Sequence, residues 1–215
     1  MIFGALLADV VRHRKLEDWP QKQRMLLDIA GRISKRFGDS LEFPIEMSGG
    51  DRLVVLLNRP EDINRLLLAF EEELFLREAD IKLRWGAGLG SLNLMDSPHT
   101  TTGEALYRAQ SALEYAHRER RSFAFSLGNA DTDRLLTLLK NTAHGIRERW
   151  TSRQKELRRA IIELRERGSE ISQVKLASHL GMSQPAVSKM LKAMLFEEQE
   201  LLEREIDVRL KSITP

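Results

Sequence analysis

Cysteine is absent from this 215-residue chain, which excludes disulfides, thiolate catalysis and any zinc site built on sulfur. The five histidines, His13, His99, His117, His144 and His179, show no HxxxH or HxH spacing that would set two of them on one face as metal ligands. A zinc enzyme is not expected. No apolar run approaches the roughly 20 residues of a membrane span. The stretch Met1-Ile2-Phe3-Gly4-Ala5-Leu6-Leu7-Ala8 reaches Asp9 without a basic leader, which reads against a signal peptide and gives a cytoplasmic expectation with no membrane partner. Charge of one sign is scarce too: the formal net charge is only +2, so the bulk electrostatics does not announce a nucleic-acid partner.

What is present is the composition of an ordinary folded protein, 42% hydrophobic and 31% charged, able to bury a core. The length suits two domains of roughly 100 residues each. The run from Ile2 to Val11, broken only by Asp9, reads as a buried central strand with its polar end at residue 9. From Pro20 to Phe37, Met25, Leu26, Ile29, Ile33 and Phe37 recur at helical spacing up to Gly38. Leu41 to Met47 alternates, with Phe43, Ile45 and Met47 on one side; Ser48-Gly49-Gly50-Asp51 supplies a turn, and Leu53 to Leu57 a second apolar strand. Pro60 opens a helix carrying Ile63, Leu66, Leu67, Phe70 and Leu74; Ile81 to Leu94 follows as a glycine-containing strand, Thr102 to Arg118 as a third helix, and Ser122 to Leu127 as a closing strand. The predicted order is β-α-β-β-α-β with an α-β pair behind it, an α+β, ferredoxin-like sheet packed by helices on one face. Trp19, Trp85 and Tyr107 read as core or rim aromatics.

After Gly128 no strand-like run appears, and residues 131–167 read as helix, interrupted near His144-Gly145. The expected division is a sheet domain at 1–128, a helical linker at 129–150 and a helical domain at 151–215. Residues 171–192, ISQVKLASHLGMSQPAVSKMLK, hold two short helical patterns separated by Gly181. Val174, Ala177 and Leu180 are expected on the inner face of the first; Ser183 caps the second, with Pro185 in its first turn and Val187, Met190 and Leu191 buried. This is the spacing of a helix-turn-helix, and it resembles the DNA-binding unit of many bacterial repressors. Between Ile171 and Phe196 stand three lysines, Lys175, Lys189 and Lys192, and no acid. Gln184 and Ser188 suit base edges, and Ser183, Lys189 and Lys192 complete the surface offered to double-stranded DNA. The competing reading is a helical hairpin used only for packing. Before it, a helix from Thr151 to Gly168 brings Leu157, Ile161, Ile162 and Leu164 to a trihelical core, with Arg153, Lys155, Arg158 and Arg159 either solvated or reaching the DNA backbone. After it, Met194 to Leu210 forms an acidic amphipathic helix whose Leu195, Leu202, Ile206 and Leu210 make a dimer seam or fold back onto their own helical domain.

In the sheet domain the candidate site is a pair of carboxylates, Asp9 at the end of the first strand and Asp51 in the Gly-Gly-Asp turn. With the first and third strands adjacent, the two converge at one edge, and convergent carboxylates hold a divalent metal such as magnesium together with a nucleotide. Taken singly, each is also an ordinary strand-end or turn residue.

Ala8-Asp9-Val10-Val11-Arg12-His13-Arg14-Lys15-Leu16-Glu17-Asp18, Ser48-Gly49-Gly50-Asp51-Arg52-Leu53, Leu83-Arg84-Trp85-Gly86-Ala87-Gly88 and Ala112-Leu113-Glu114-Tyr115-Ala116-His117 resemble successive motifs of diguanylate cyclases and related class III nucleotide cyclases. The resemblance implies metal ligation by Asp9 and Asp51, with Arg14 and Arg121 as phosphate contacts. Three positions depart from it: Arg52 where those enzymes carry an acid, Glu17 where they read guanine with Asn, and His117 where they contact phosphate with Lys. Over nearly its whole length, the chain resembles the SatD family, a group of presumed regulators. The reading is a DNA-binding transcriptional regulator, a homodimer by analogy, whose cyclase-like domain senses a nucleotide or dimerises without catalysis. The alternative is a metal-dependent nucleotide-processing enzyme using Asp9 and Asp51.

Overall fold

The near-continuous apolar run Phe3–Val10 forms β1, the middle strand of a five-stranded sheet. The computed structural model describes residues 1–214, apart from the Arg14 side chain. Along the chain follow α1 (Trp19–Arg36), β2 (Glu46–Ser48), β3 (Arg52–Leu57), α2 (Ile63–Leu76), β4 (Leu83–Gly90), α3 (Glu104–Arg118), β5 (Phe123–Ser126), α4 (Ala130–Glu148), α5 (Ser152–Glu166), α6 (Gln173–Leu180), α7 (Gln184–Ala193) and α8 (Phe196–Ile213). The strand order is β2-β3-β1-β4-β5, with β1 antiparallel to both neighbours and β5 parallel to β4. The chain divides into two compact units, residues 1–141 with 205–215, and residues 142–204.

Alternation along the strands gives the sheet of the first unit two buried faces. On one, Leu6, Ala8 and Val10 of β1, Leu53, Val55 and Leu57 of β3, and Leu83, Trp85, Ala87 and Leu89 of β4 pack on the apolar stripes of α1 and α2. Trp85 lies tilted against Phe70, ring centroids 4.9 Å apart. On the other, Ala5, Leu7, Val54 and Leu56 meet Ala105, Ala109 and Leu113 of α3. This corrects the expectation of helices on one face only. The reason is steric: β4 turns Gly86, Gly88 and Gly90 toward α3, and α3 answers with alanines, so two backbones approach without side chains between them. A Cβ built on Gly86 would lie 2.2 Å from the Ala109 carbonyl oxygen, and one on Gly88 2.3 Å from that of Ala105.

The segment expected as an alternating strand from Leu41 to Met47 keeps pairing only at Leu41, opposite Leu57, and in β2. Pro44 has no N–H to donate and breaks the alternation. As a result Phe43 packs on the α3 side, whereas Ile45 and Met47 pack with α1 and α2.

Residues 129–141, expected in a linker, belong to the sheet unit for a hydrogen-bonding reason. Asp133, Thr137 and Asn141, one helical turn apart on α4, accept from the backbone N–H groups of Leu127 (2.6 Å), Phe125 (3.1 Å) and Phe123 (3.3 Å). Their side chains thereby satisfy the outer rim of β5, which would otherwise offer unpaired donors. Burial pushes the Asp133 carboxyl above its ordinary range, although the bond from Leu127 opposes the shift. Behind them Lys140 is wholly buried, 3.1 Å from Glu71. Ile206 and Leu210 of α8 are also fully buried, in the core of the sheet unit rather than of the helical domain expected to hold them.

The second unit is helical throughout. Gly145 lies inside α4, and the expected interruption at His144-Gly145 falls instead at residues 149–151, where Thr151 and Gln154 form a capping box that starts α5. Ser172 caps α6, Gly181 ends it with φ 60°, and Ser183 caps α7. Trp150, Leu157, Ala160, Ile161, Leu176, Ala177, Val187 and Met194 are its core. The inward stripe of α6 is set by Leu176 and Ala177; Val174, expected inside, is 63% exposed. Arg158 is buried beside Glu200 rather than solvated.

The glycine contact gives a sharp contrast. Gly86→Ala is expected to lower the unfolding free energy in urea by about 3 kcal/mol through overpacking. Gly31→Ala on α1, with nothing within 4 Å of the added carbon, should raise it by about 0.5 kcal/mol.

Candidate functional site

Strand register decides which side chains meet at the edge where β1 ends and β3 and β4 begin. Asp9 stands opposite Arg52 on β3 and opposite Arg84 on β4. Cross-strand partners share a face, so the Asp9, Arg52 and Arg84 side chains all stand on the α3 side of the sheet. Arg52 Nε donates to Asp9 Oδ1 at 2.9 Å and Nη2 to Oδ2 at 3.4 Å; its Nη1 reaches Gln110 Oε1 of α3 at 3.4 Å. Gln110 in turn donates to Glu114 at 2.7 Å. The hydrogen-bonded Asp9 carboxylate holds the Arg52 pKa above its usual value, with the charges of Asp51 and Glu114 adding to it.

Arg84 is treated differently. Its Nε donates to the Arg121 carbonyl at 3.0 Å, and burial lowers its pKa against the attraction of Asp9. Among the described residues Arg84 forms no ion pair.

Asp51 comes one residue before the position in register with Asp9. The turn that carries it needs glycine, since Gly49 and Gly50 have φ of 61° and 89°, and Gln23 Nε2 fixes it by donating to the Gly50 carbonyl at 2.9 Å. Val10 N–H donates to the Asp51 carbonyl at 3.1 Å, so the two expected residues do lie at the same edge. Their carboxylates do not converge on one acceptor site, however: Asp51 Oδ2 faces His13 Nδ1 at 2.8 Å, in a short 3-10 turn whose ring neighbours Trp19.

A divalent cation does not fit this donor set. One carboxylate is engaged on both oxygens by a guanidinium and the other by a histidine, and the third position carries positive charge. Among the described residues no three His, Asp or Glu side chains are grouped to hold a metal ion. The two side chains expected as a metal pair each have a partner within the chain, Arg52 for Asp9 and His13 for Asp51. Arg121 is exposed at the α3–β5 turn; Arg14 lies in the 3-10 turn, its side chain outside the described residues. Neither Arg84 nor Gln110 was singled out from sequence. The signal for Arg84 was its parity with Gly86, Gly88 and Gly90, which fixes the face it occupies.

On the helical unit, Ser183, Gln184, Lys189 and Lys192 are exposed and Ser188 half-buried, while Val187 is fully buried beneath them. Ser183 Oγ accepts from Ala186 N–H at 3.4 Å.

A mixed α+β unit on a five-stranded sheet and a helical unit therefore make up the chain, and no helix among the described residues is long and apolar enough to cross a membrane. It belongs to the SatD family, whose family model matches residues 3–197. No curated protein sequence matches it. Among solved structures it is similar to a bacterial light-regulated adenylyl cyclase, at 16% identity and a TM-score of 0.45, over 58% of this chain and 75% of that one. A microbial GGDEF domain seen with bis-(3,5)-cyclic di-GMP overlaps at 20% identity and a TM-score of 0.37, over 58% and 79%. A dimeric guanylyl cyclase domain of the RhoGC fusion protein from the aquatic fungus Blastocladiella emersonii does so at 13% and 0.39, over 53% and 73%.

The ion pair is measurable by a double-mutant cycle. Asp9→Asn and Arg52→Met, alone and combined, should give a coupling of about 1 kcal/mol in urea unfolding, a size set by partial exposure of both groups. Strict additivity would place the pair apart in solution.

Proposed function

We propose that this chain is a DNA-binding transcriptional regulator in which residues 173–192 act as a helix-turn-helix. In this reading a ferredoxin-like, cyclase-type domain at the N-terminus holds a nucleotide or pairs subunits without catalysis. The observation that carries it is the outer face of α7: Gln184, Lys189 and Lys192 stand exposed on a helix pinned from behind by Val187, in a stretch with no acidic residue. The local chemistry supports a rigid presentation. Ser172 and Ser183 cap their helices, and the left-handed residue between α6 and α7 is a glycine, so the turn carries no strain. Gln184 offers the donor and acceptor that read adenine, and the lysines suit phosphates. The regulator acts as a cytoplasmic homodimer on paired half-sites, as such motifs commonly do.

Selection from a random duplex library followed by fluorescence anisotropy tests this directly. The full chain should show salt-sensitive affinity; Lys189→Ala should reduce the salt slope by about 1. Gln184→Ala should cost about 1–3 kcal/mol and relax the sequence preference. Absence of salt-sensitive affinity for any duplex would overturn the reading.

A further inference from the structure

The chain has two tyrosines, and both stand exposed on the outer face of α3, Tyr107 at 68% and Tyr115 at 42%. The opposite face of the helix, Ala105, Ala109, Ala112, Leu113 and Ala116, is spent on the sheet. Helical geometry orders the outer face in steps of seven. Glu104, Ser111 and Arg118 run along its midline; Tyr107 and Glu114 flank it on one side, Arg108 and Tyr115 on the other. The midline therefore reads acid, small residue, base. The charged groups are already held in place on the surface: Arg108 Nη2 lies 2.7 Å from Glu104 Oε1, Arg108 Nη1 donates to the Leu89 carbonyl at 2.7 Å, and Gln110 donates to Glu114 at 2.7 Å. Arg118 bonds Glu119 through Nε at 3.1 Å, with its guanidinium carbon 5.4 Å from the centre of the Tyr115 ring. Side chains ordered beforehand lose less entropy on association.

We infer that this face of α3 docks a second copy of the chain, the two helices lying antiparallel about a two-fold axis at Ser111. Charge decides both the occupant and the direction. In an antiparallel pair Glu104 meets the partner's Arg118 at each end, Tyr107 lies beside the partner's Glu114, and Arg108 lies against the ring of the partner's Tyr115. A parallel pair would set acid on acid and base on base along the midline, which repels. Ser111, exposed and small, lets the helices approach where they cross. Tyrosine and arginine are also the residues that most often anchor such contacts. A helix of this length spans about 21 Å. Its contact falls below the roughly 1,200 Å² of a standard interface, so the pair is reversible, and it strengthens when two copies occupy neighbouring half-sites. The inference rests on the proposed role of the sheet domain in pairing subunits, and it names the surface that does so.

Sedimentation equilibrium of the full chain without DNA, over roughly 1–300 micromolar, reads the association. A monomer–dimer equilibrium should appear in that range. Glu104→Arg and Arg118→Glu should each weaken it at least tenfold, and the two together should restore it, because the exchanged charges face each other again. A second measurement holds even if a reversed charge disturbs the helix. The chain has no cysteine, so Ser111→Cys places a single thiol on the axis, where two close-packed helices bring the Cα atoms within the 4.4–6.8 Å of a disulfide. Under mild oxidation it should cross-link copies much faster than Ser152→Cys, an exposed thiol on α5. Four results overturn the inference: a monomer throughout, which leaves the face to a different partner; a dimer indifferent to the single reversals; losses that the double reversal does not restore; or equal cross-linking of the two thiols. Duplex affinity on the same samples separates the two proposals. DNA binding by a chain that does not dimerise through α3 sinks this one alone, and a dimer of this kind without DNA binding sinks the regulator alone.

Discussion

The pairing of Asp9 with Arg52 follows from strand register, and the chemistry of the sheet edge follows from that pairing. β1 sits between β3 and β4, and a shift of one residue against either would send Asp9 to the α1 and α2 side and bring a different partner into line. The register is held by burial on both faces, where nearly every other side chain of β1 is sequestered. A divalent cation placed about 4 Å from the Arg52 guanidinium would meet a repulsion of roughly 2 to 8 kcal/mol, depending on how much water screens it. That repulsion offsets the attraction a carboxylate at the same edge would offer the ion.

The same edge explains how the sheet unit is closed. α3 can lie on the second face only because β4 presents three glycines to it, and its position brings Gln110 to Arg52 and the α3–β5 turn to Arg84. Beyond β5, the Asp133, Thr137 and Asn141 side chains of α4 take over the hydrogen bonding that a sixth strand would have supplied. The fold thus ends its sheet with a helix, and it does so with residues whose polarity looks in sequence like a solvated surface.

Legibility from sequence tracked the strength of local pattern. β1, α1 and α2 carry long apolar runs or stripes, and Leu26, Ile29, Ile33, Leu66, Leu67 and Phe70 are all buried as their spacing requires. The short β2 is less legible, because the alternation runs on through Pro44 while the strand pairing does not. The second helical face leaves little trace in the sequence, because glycine and alanine contribute closeness rather than hydrophobicity. In the helical unit the cap at Ser183 is legible in the sequence, whereas the burial of Arg158 and the exposure of Val174 depend on which neighbours each meets. Asp9 and Asp51 lie at one edge, as the motif order suggests. Their partners are not legible there, because a charge pair across strands depends on register and side, neither of which is written in the motif itself.

Manganese is the most direct probe of this account, since its EPR signal reports bound and free ion separately. Titration of the metal-free full chain should leave the spectrum that of free manganese throughout the micromolar range. A stoichiometric bound population in that range, abolished by Asp9→Asn, would show that the carboxylates serve an ion and not Arg52, and the account would be wrong at its root.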